Sequence, residues 1–293
     1  MNIEKWIKQN THSLENKTVA ITGSTGSLGN QLCLYCAKLG AKLVLLNRNQ
    51  QKTSLQIEQL KNKFKNLQAE FIQVDMQDIQ SVKNATDKLN QLSVDYIILN
   101  AGAYRTKKIT TSLGYNNIFQ INFISPYYIA KQSMLNNPNC KVVAVGSISY
   151  KMQKPNFDDV DFSSCKKAIK VYGNSKRFLM WSLQQYFLTN NLNNIAIAHP
   201  GICYTNITSN FAKCIRWVVK IGMKIIFAKP KKASLSILKA MFENTKADCW
   251  IGPRVFGIWG RPKTQKLKKV SIEEKNKMFE IAEKIYSEIT NKF

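Results

Sequence analysis

Negative charge is what this sequence most lacks. Its 18 Asp and Glu face 43 Lys and Arg, a formal net charge of +25, and no acid occurs from Phe162 to Phe242, a span with thirteen Lys and Arg. A basic surface of that extent attracts anions, whether a phosphorylated cofactor, a membrane or a nucleic acid. Asn-rich stretches such as 190–194 point to a compositional habit of the source organism as a second contributor. Long apolar runs are also missing: none approaches the ~20 residues of a spanning helix. Residues 1–17 carry Glu4 and no continuous apolar run, so no secretory signal is expected. A cytoplasmic protein, with peripheral membrane contact left open, is the expectation. The seven cysteines are scattered and include one Cys-x-x-Cys pair, Cys33 and Cys36. With no second pair to complete a zinc site, no metal is expected. The pair falls inside an apolar helical pattern, where two small hydrophobes pack, and a reducing compartment follows.

What is present is a regular alternation. With 293 residues and 44% apolar content, the chain can build one large α/β domain. The β-branched run Thr18–Thr22 is followed by a glycine turn, Gly23-Ser24-Thr25-Gly26-Ser27-Leu28-Gly29, and then by a helix from Asn30 to Leu39 closed by Gly40. Strand, glycine turn and helix in that order are the setting of a dinucleotide fingerprint. The first glycine permits the tight turn, the second lets backbone approach a pyrophosphate, and the third lets helix and strand pack closely. Amides at the helix start face the phosphates, and the hydroxyls of Ser24, Thr25 and Ser27 add donors.

A second strand, Lys42–Leu46, ends at Asn47 and Arg48. An acid there would hold ribose hydroxyls; an amide and a guanidinium accept a 2′-phosphate, which favours NADP over NAD, unless Arg48 is simply a solvated loop charge. Helix 50–65, strand 69–74 ending before Asp75 and Met76, helix 79–92, strand 95–99 ending at Asn100-Ala101-Gly102, a helical stretch from about 111 to 135 containing Asn122, and strand 141–145 ending at Gly146-Ser147-Ile148-Ser149 continue the pattern. This predicts a doubly wound parallel sheet with helices on both faces, ligands lying beyond the carboxyl ends of its strands. Residues 1–16 read as an N-terminal extension, 17–293 as a single Rossmann domain, and about 253–293 as a C-terminal extension of it. A strand is predicted near Cys249–Ile251, just before that extension, then a polar loop, then a helix over 272–289.

Tyr172 and Lys176 stand four residues apart, on one helix face if the segment is helical. A phenol titrates near ~10 unless a cation favours its ionised form. Taken alone the pair is an ordinary helix face; its company makes it informative. Thr22-Gly23 with the glycine turn, Asn100-Ala101-Gly102, Asn122, Ser147, Tyr172 with Lys176, and Pro200-Gly201 followed by Thr205 occur in one order. In that order they resemble the short-chain dehydrogenase/reductase superfamily over nearly the whole chain. The twenty-five residues between Ser147 and Tyr172, and His199-Pro200-Gly201, resemble its retinol-dehydrogenase and protochlorophyllide-reductase-like branch. Two departures stand out: Ser27 occupies a usual glycine position, and Gly146 stands where a serine is common.

The resemblance implies hydride transfer between NADP(H), or NAD(H), and a carbonyl or alcohol. Tyr172 would be the acid and Ser147 the second donor to the substrate oxygen. Lys176 would lower the Tyr172 pKa and grip the nicotinamide ribose, and Asn122 would anchor a water relaying protons to Lys176. Asp75 would contact adenine, Asn100–Gly102 would line the adenosine side, and Pro200, Gly201, Ile202 and Thr205 would meet the nicotinamide end. Tyr104, Tyr150, Phe157, Tyr204 and Trp217 are candidate substrate-pocket aromatics and suggest an apolar substrate. Relatives pair through the helices around Asn122 and Tyr172, so a homodimer or homotetramer is an expectation. The segment 205–230 would cover the substrate. Within it, Lys213, Arg216, Lys220 and Lys224 recur at helical spacing over 211–227, either as a lid with a solvated basic face or as an interfacial helix on anionic lipid. The rival functions are a catalytically weak nucleotide-binding sensor or scaffold of the same fold, and a nucleic-acid binder. No nucleic acid is expected, because no recognised module is present.

Overall fold

In the computed structural model, the described residues are 2–104, 106–152, 154, 155, 157–201 and 228–292. Eight strands form one sheet in the order β3-β2-β1-β4-β5-β6-β7-β8. They are β1 (Thr18–Thr22), β2 (Lys42–Asn47), β3 (Ala69–Gln73), β4 (Tyr96–Leu99), β5 (Lys141–Val145), β6 (Ile195–Ala198), β7 (Cys249–Val255) and β8 (Trp259–Lys266). Neighbours are parallel from β3 through β7, and β8 closes the edge antiparallel to β7. The chain winds outward from β1 through β3, then returns to the other side of β1 as β4. That reversal opens a crevice at the carboxyl ends of β1 and β4.

Successive strand residues point to opposite faces, so each central strand feeds two cores. Val19 and Ile21, with Val143 and Val145, pack beneath α1 (Ile3–Asn10), α2 (Ser27–Lys38), α3 (Gln50–Lys63) and α8 (Pro230–Phe242). Ala20, with Val142 and Ala144, faces α4 (Ile79–Asn90), α5 (Asn117–Phe119), α6 (Ser125–Asn136), α7 (Ala168–Thr189) and α9 (Ile272–Lys292). Between α5 and α6 the helix widens into a π turn, Gln120–Ile124, a distortion that recurs at functional sites.

Among the described residues, the predicted strands and helices fall where expected within a few residues, with three differences. The supposed polar loop after Ile251 is a β-hairpin, whose second strand alternates charged and small residues because it is a solvent-facing edge. The first sixteen residues include a helix that buries Trp6 and Ile7 against the rest of the fold. The Asn122 helix begins at Asn117, not near 111, because the Asn116 side chain caps it by accepting from the Ile118 amide.

Candidate active site

The glycine turn leaves β1 through Gly23, at φ +65°, a conformation that side-chain-bearing residues adopt rarely. Gly29 sits on the first turn of α2, where a β-carbon would lie 2.4 Å from the Gly23 carbonyl oxygen. Helix and turn can pack this closely only without one. The residue preceding α2, Gly26, offers no side-chain cap, so the first amides of the helix remain for an anionic ligand.

Behind the turn lies a hydrogen-bond network that the motif does not announce. Gln56 of α3 donates through Nε2 to the Ser24 carbonyl at 2.9 Å and to Asn30 Oδ1 at 3.0 Å. The Ser24 hydroxyl donates to Gln56 Oε1 at 2.8 Å and accepts from Asn47 Nδ2 at 2.7 Å. One expectation is corrected here: the Ser24 hydroxyl, fully buried, is spent inside the protein instead of facing phosphate. The Asn47 amide, which also lines the cleft, braces the turn.

The cleft in front of this turn encloses about 500 Å³ and is lined by Gly23, Thr25–Leu28, Asn47–Asn49, Lys52, Val74–Gln77, Asn100–Ala103, Thr106 and Ile121. Its walls are tied together: Asn100 Nδ2 donates to the carbonyls of Thr22 and Gly23, and the Ala101 amide donates to Thr22 Oγ1. Arg48 Nη1 lies 3.7 Å from Asp75 Oδ2. Lys52, on the first turn of α3 and four residues after Arg48, adds a second cation; its nearness in sequence was the available signal. Open helix-start amides, two cations and a cleft of this size fit a phosphorylated dinucleotide.

The other end of the site converges on α7. A β-carbon placed on Gly102 would lie 2.9 Å from Asn122 Oδ1 and 3.7 Å from Lys176 Nζ, so the three meet. Lys176 is buried and donates to the Val145 carbonyl at 2.8 Å; desolvation lowers its pKa to about 8. Tyr172, half-buried, has its pKa raised by desolvation, partly offset by a hydrogen bond from Ser147. The Ser147 hydroxyl in turn accepts from Ser149 Oγ at 2.9 Å, and Ser149, overlooked in the motif, thereby orients it. Ser147 is thus a neighbour whose hydrogen bond favours the Tyr172 phenolate. Asn122 is held by Ala103: its side chain accepts from the Ala103 amide nitrogen at 3.0 Å and donates to the Ala103 carbonyl at 2.8 Å. These bonds fix the cleft floor and leave one N–H and one lone pair of the amide for a further partner. The glycine at 146 has a steric reason, since a β-carbon would lie 2.8 Å from Met180 Sδ.

Among the pocket aromatics, Tyr104 meets Tyr172 edge to face, with ring centroids 5.1 Å apart. Tyr150 does not join them: it is fully buried and its hydroxyl accepts from the Lys268 amide. Phe157 packs against Phe178 in the core and beneath Lys277. Pro200 and Gly201 lie at the end of β6, where a β-carbon on Gly201 would lie 2.9 Å from the Ile258 carbonyl oxygen in the hairpin turn. Ile202, Tyr204, Thr205, Trp217 and the basic segment 211–227 lie outside the described residues. Cys33 and Cys36 are buried packing thiols, with the Cys36 pKa pushed up to about 12 by desolvation.

Fold and site together define a nucleotide-binding α/β protein with a Ser-Tyr-Lys constellation at its strand ends. A family model described as short chain dehydrogenase matches residues 17–214. The chain belongs to that family, whose members are NAD(P)-dependent oxidoreductases. Human polyprenol dehydrogenase is 21% identical over 224 residues, 72% of this chain and 67% of that protein. Human retinol dehydrogenase 13 is 22% identical over 205 residues, 67% of this chain and 61% of that protein, in keeping with the retinol-dehydrogenase-like branch. Two other relatives are matched over only 33% of their length. Among solved structures, an uncharacterised protein of Mycobacterium paratuberculosis superposes with a TM-score of 0.72 at 20% identity, covering 95% of this chain and 96% of that one. The NADPH-dependent 3-quinuclidinone reductase of Rhodotorula rubra gives 0.63 at 19% identity, over 80% of this chain and 89% of that one.

Proposed function

We propose that this protein is an NADP(H)-dependent reductase or dehydrogenase acting on an apolar aldehyde, ketone or alcohol. The observation that carries the reading is the hydroxyl chain Ser149 to Ser147 to Tyr172 beside the buried Lys176. A bound nicotinamide dinucleotide supplies or accepts the hydride. In reduction the substrate oxygen gains negative charge, so it needs an acid and a second donor. Tyr172 gives the proton, Ser147 holds the oxygen, and Ser149 keeps Ser147 oriented. With a pKa near 8, Lys176 is largely protonated at neutral pH, and its charge favours the phenolate left on Tyr172.

Arg48 and Lys52 on the cleft wall support NADP over NAD, as does the NADPH dependence of the Rhodotorula reductase. Tyr104 against Tyr172 supports an apolar substrate. The test is NADPH oxidation by the purified protein with a panel of lipophilic aldehydes and ketones. Tyr172→Phe should lower turnover at least a hundredfold, the usual scale of a lost general acid, while leaving cofactor binding intact. Undiminished turnover would reject the acid assignment. Cofactor binding without turnover on any carbonyl would favour the sensor reading.

A further inference from the structure

The hairpin joining β7 to β8 presents an uncommon tip. Phe256 is 81% exposed and holds φ at +51°, a left-handed conformation that is strained for an aromatic residue. Its neighbours Val255 and Trp259 are each 43% exposed. A solvent-facing turn would be better served by Asn or Gly, so the residue costs stability on two counts, backbone and hydration.

Around this apolar tip the charge has one sign. Arg254, Arg261 and Lys263 are exposed, and from Cys249 to Ile272 the chain has six Lys and Arg and no Asp or Glu. Beside the hairpin, the turn Ile148–Lys151 ends at exposed Lys151 and Met152, the latter 68% exposed. Aromatic and aliphatic side chains ringed by cations match the boundary of an anionic bilayer, where the apolar tip enters the headgroup region and cations meet lipid phosphates.

The same hairpin touches the reactive end of the site. A β-carbon on Gly257 would lie 3.4 Å from Ile148 Cδ1, the residue after Ser147, and 3.8 Å from His199. The turn also backs onto Gly201 through the Ile258 carbonyl. We infer that the β7–β8 hairpin tip, led by Phe256 and flanked by Arg254, Arg261 and Lys263, docks the protein on an anionic membrane surface. Docking there turns the substrate end of the cleft toward lipid, so an apolar substrate can pass from the bilayer to Ser147 and Tyr172. The surface is independent of the basic segment 211–227; its bearing on substrate rests on the proposed reductase activity.

Flotation with phosphatidylserine-containing vesicles, against pure phosphatidylcholine vesicles, tests the inference. The chain should float with the anionic vesicles only and be released by salt. Phe256→Asn suits the left-handed turn, so it keeps the fold, and should weaken binding about tenfold, the scale of one withdrawn aromatic side chain. Neutralising Arg254, Arg261 and Lys263 to Gln together should weaken it further. Quenching of tryptophan fluorescence by brominated lipid should fall in Trp259→Phe. Equal flotation of Phe256→Asn and the parent would overturn the inference. So would binding abolished only by neutralising Lys213, Arg216, Lys220 and Lys224, or binding to RNA with no vesicle retention. NADPH turnover of a water-soluble ketone without lipid, which Phe256→Asn should retain, separates failure of docking from failure of the enzymatic reading.

Discussion

Arg48 Nη1 lies 3.7 Å from Asp75 Oδ2 across one end of the dinucleotide cleft. The guanidinium is 70% exposed and the carboxylate 33%, so the pair stabilises the fold little. Its consequence concerns cofactor choice: alone, Asp75 would repel a 2′-phosphate, and Arg48 offsets that charge. Arg48→Asp should lower the ratio of kcat/KM with NADPH to that with NADH by at least about tenfold, the scale of one lost charge-assisted hydrogen bond. Lys52→Gln should move it in the same direction by less. An unchanged ratio in steady-state kinetics would return Arg48 to the status of a solvated loop charge.

Gln56 is a buried side chain whose hydrogen bonds reach from α3 into the glycine turn. Its amide serves both the carbonyl and the hydroxyl of Ser24. Gln56→Leu has nearly the same volume but leaves those groups unpaired, at roughly 1–3 kcal/mol for a buried unsatisfied group. The turn should loosen while Tyr172 and Ser147 stay in place. Expected are a rise of about tenfold in the cofactor Kd by fluorescence titration and a kcat at saturating cofactor within about twofold of the parent. A fall in kcat at unchanged Kd would show that Gln56 acts elsewhere.

Much of this was legible in the sequence because the relevant signals are local. A strand of β-branched residues running into Gly23 and Gly29 specifies its own turn, and Tyr172 with Lys176 needs only helical spacing to share a face. Ser149 and Lys52 were readable by the same logic, two and four residues from Ser147 and Arg48. What could not be read depends on contacts distant in sequence. Gln56 meets Ser24 from thirty-two residues away, Tyr150 is drawn into the core by Lys268 and Trp250, and Asn122 is claimed by Ala103. Strand β8 was missed because an edge strand exposes one side of its ladder and needs no apolar alternation, so Gly260, Arg261 and Lys263 read as loop.

Lys176 should show that the site is held against the interest of the fold. Burial lowers its pKa to about 8, against ~10.4 in an unfolded chain. The sign follows from proton counting. Below pH ~8 both states carry the proton, and the native state bears the whole desolvation cost. Between ~8 and ~10.4 the unfolded chain binds more protons, so native stability rises with pH, and above ~10.4 the cost is gone. Lys176→Met removes the buried charge but leaves the Val145 carbonyl without its partner, which takes back part of the gain. At pH 7 the variant should be the more stable protein, by on the order of 1 kcal/mol in urea unfolding, while losing turnover. Its advantage should shrink steadily between pH 8 and 10.4, because only the parent gains stability there from this group. Comparing the two proteins cancels the tyrosines, which titrate in both. A stability difference that stays constant across that interval would mean that Lys176 is not desolvated in the folded protein, and its placement beside Gly102 and Val145 would then have to be revised.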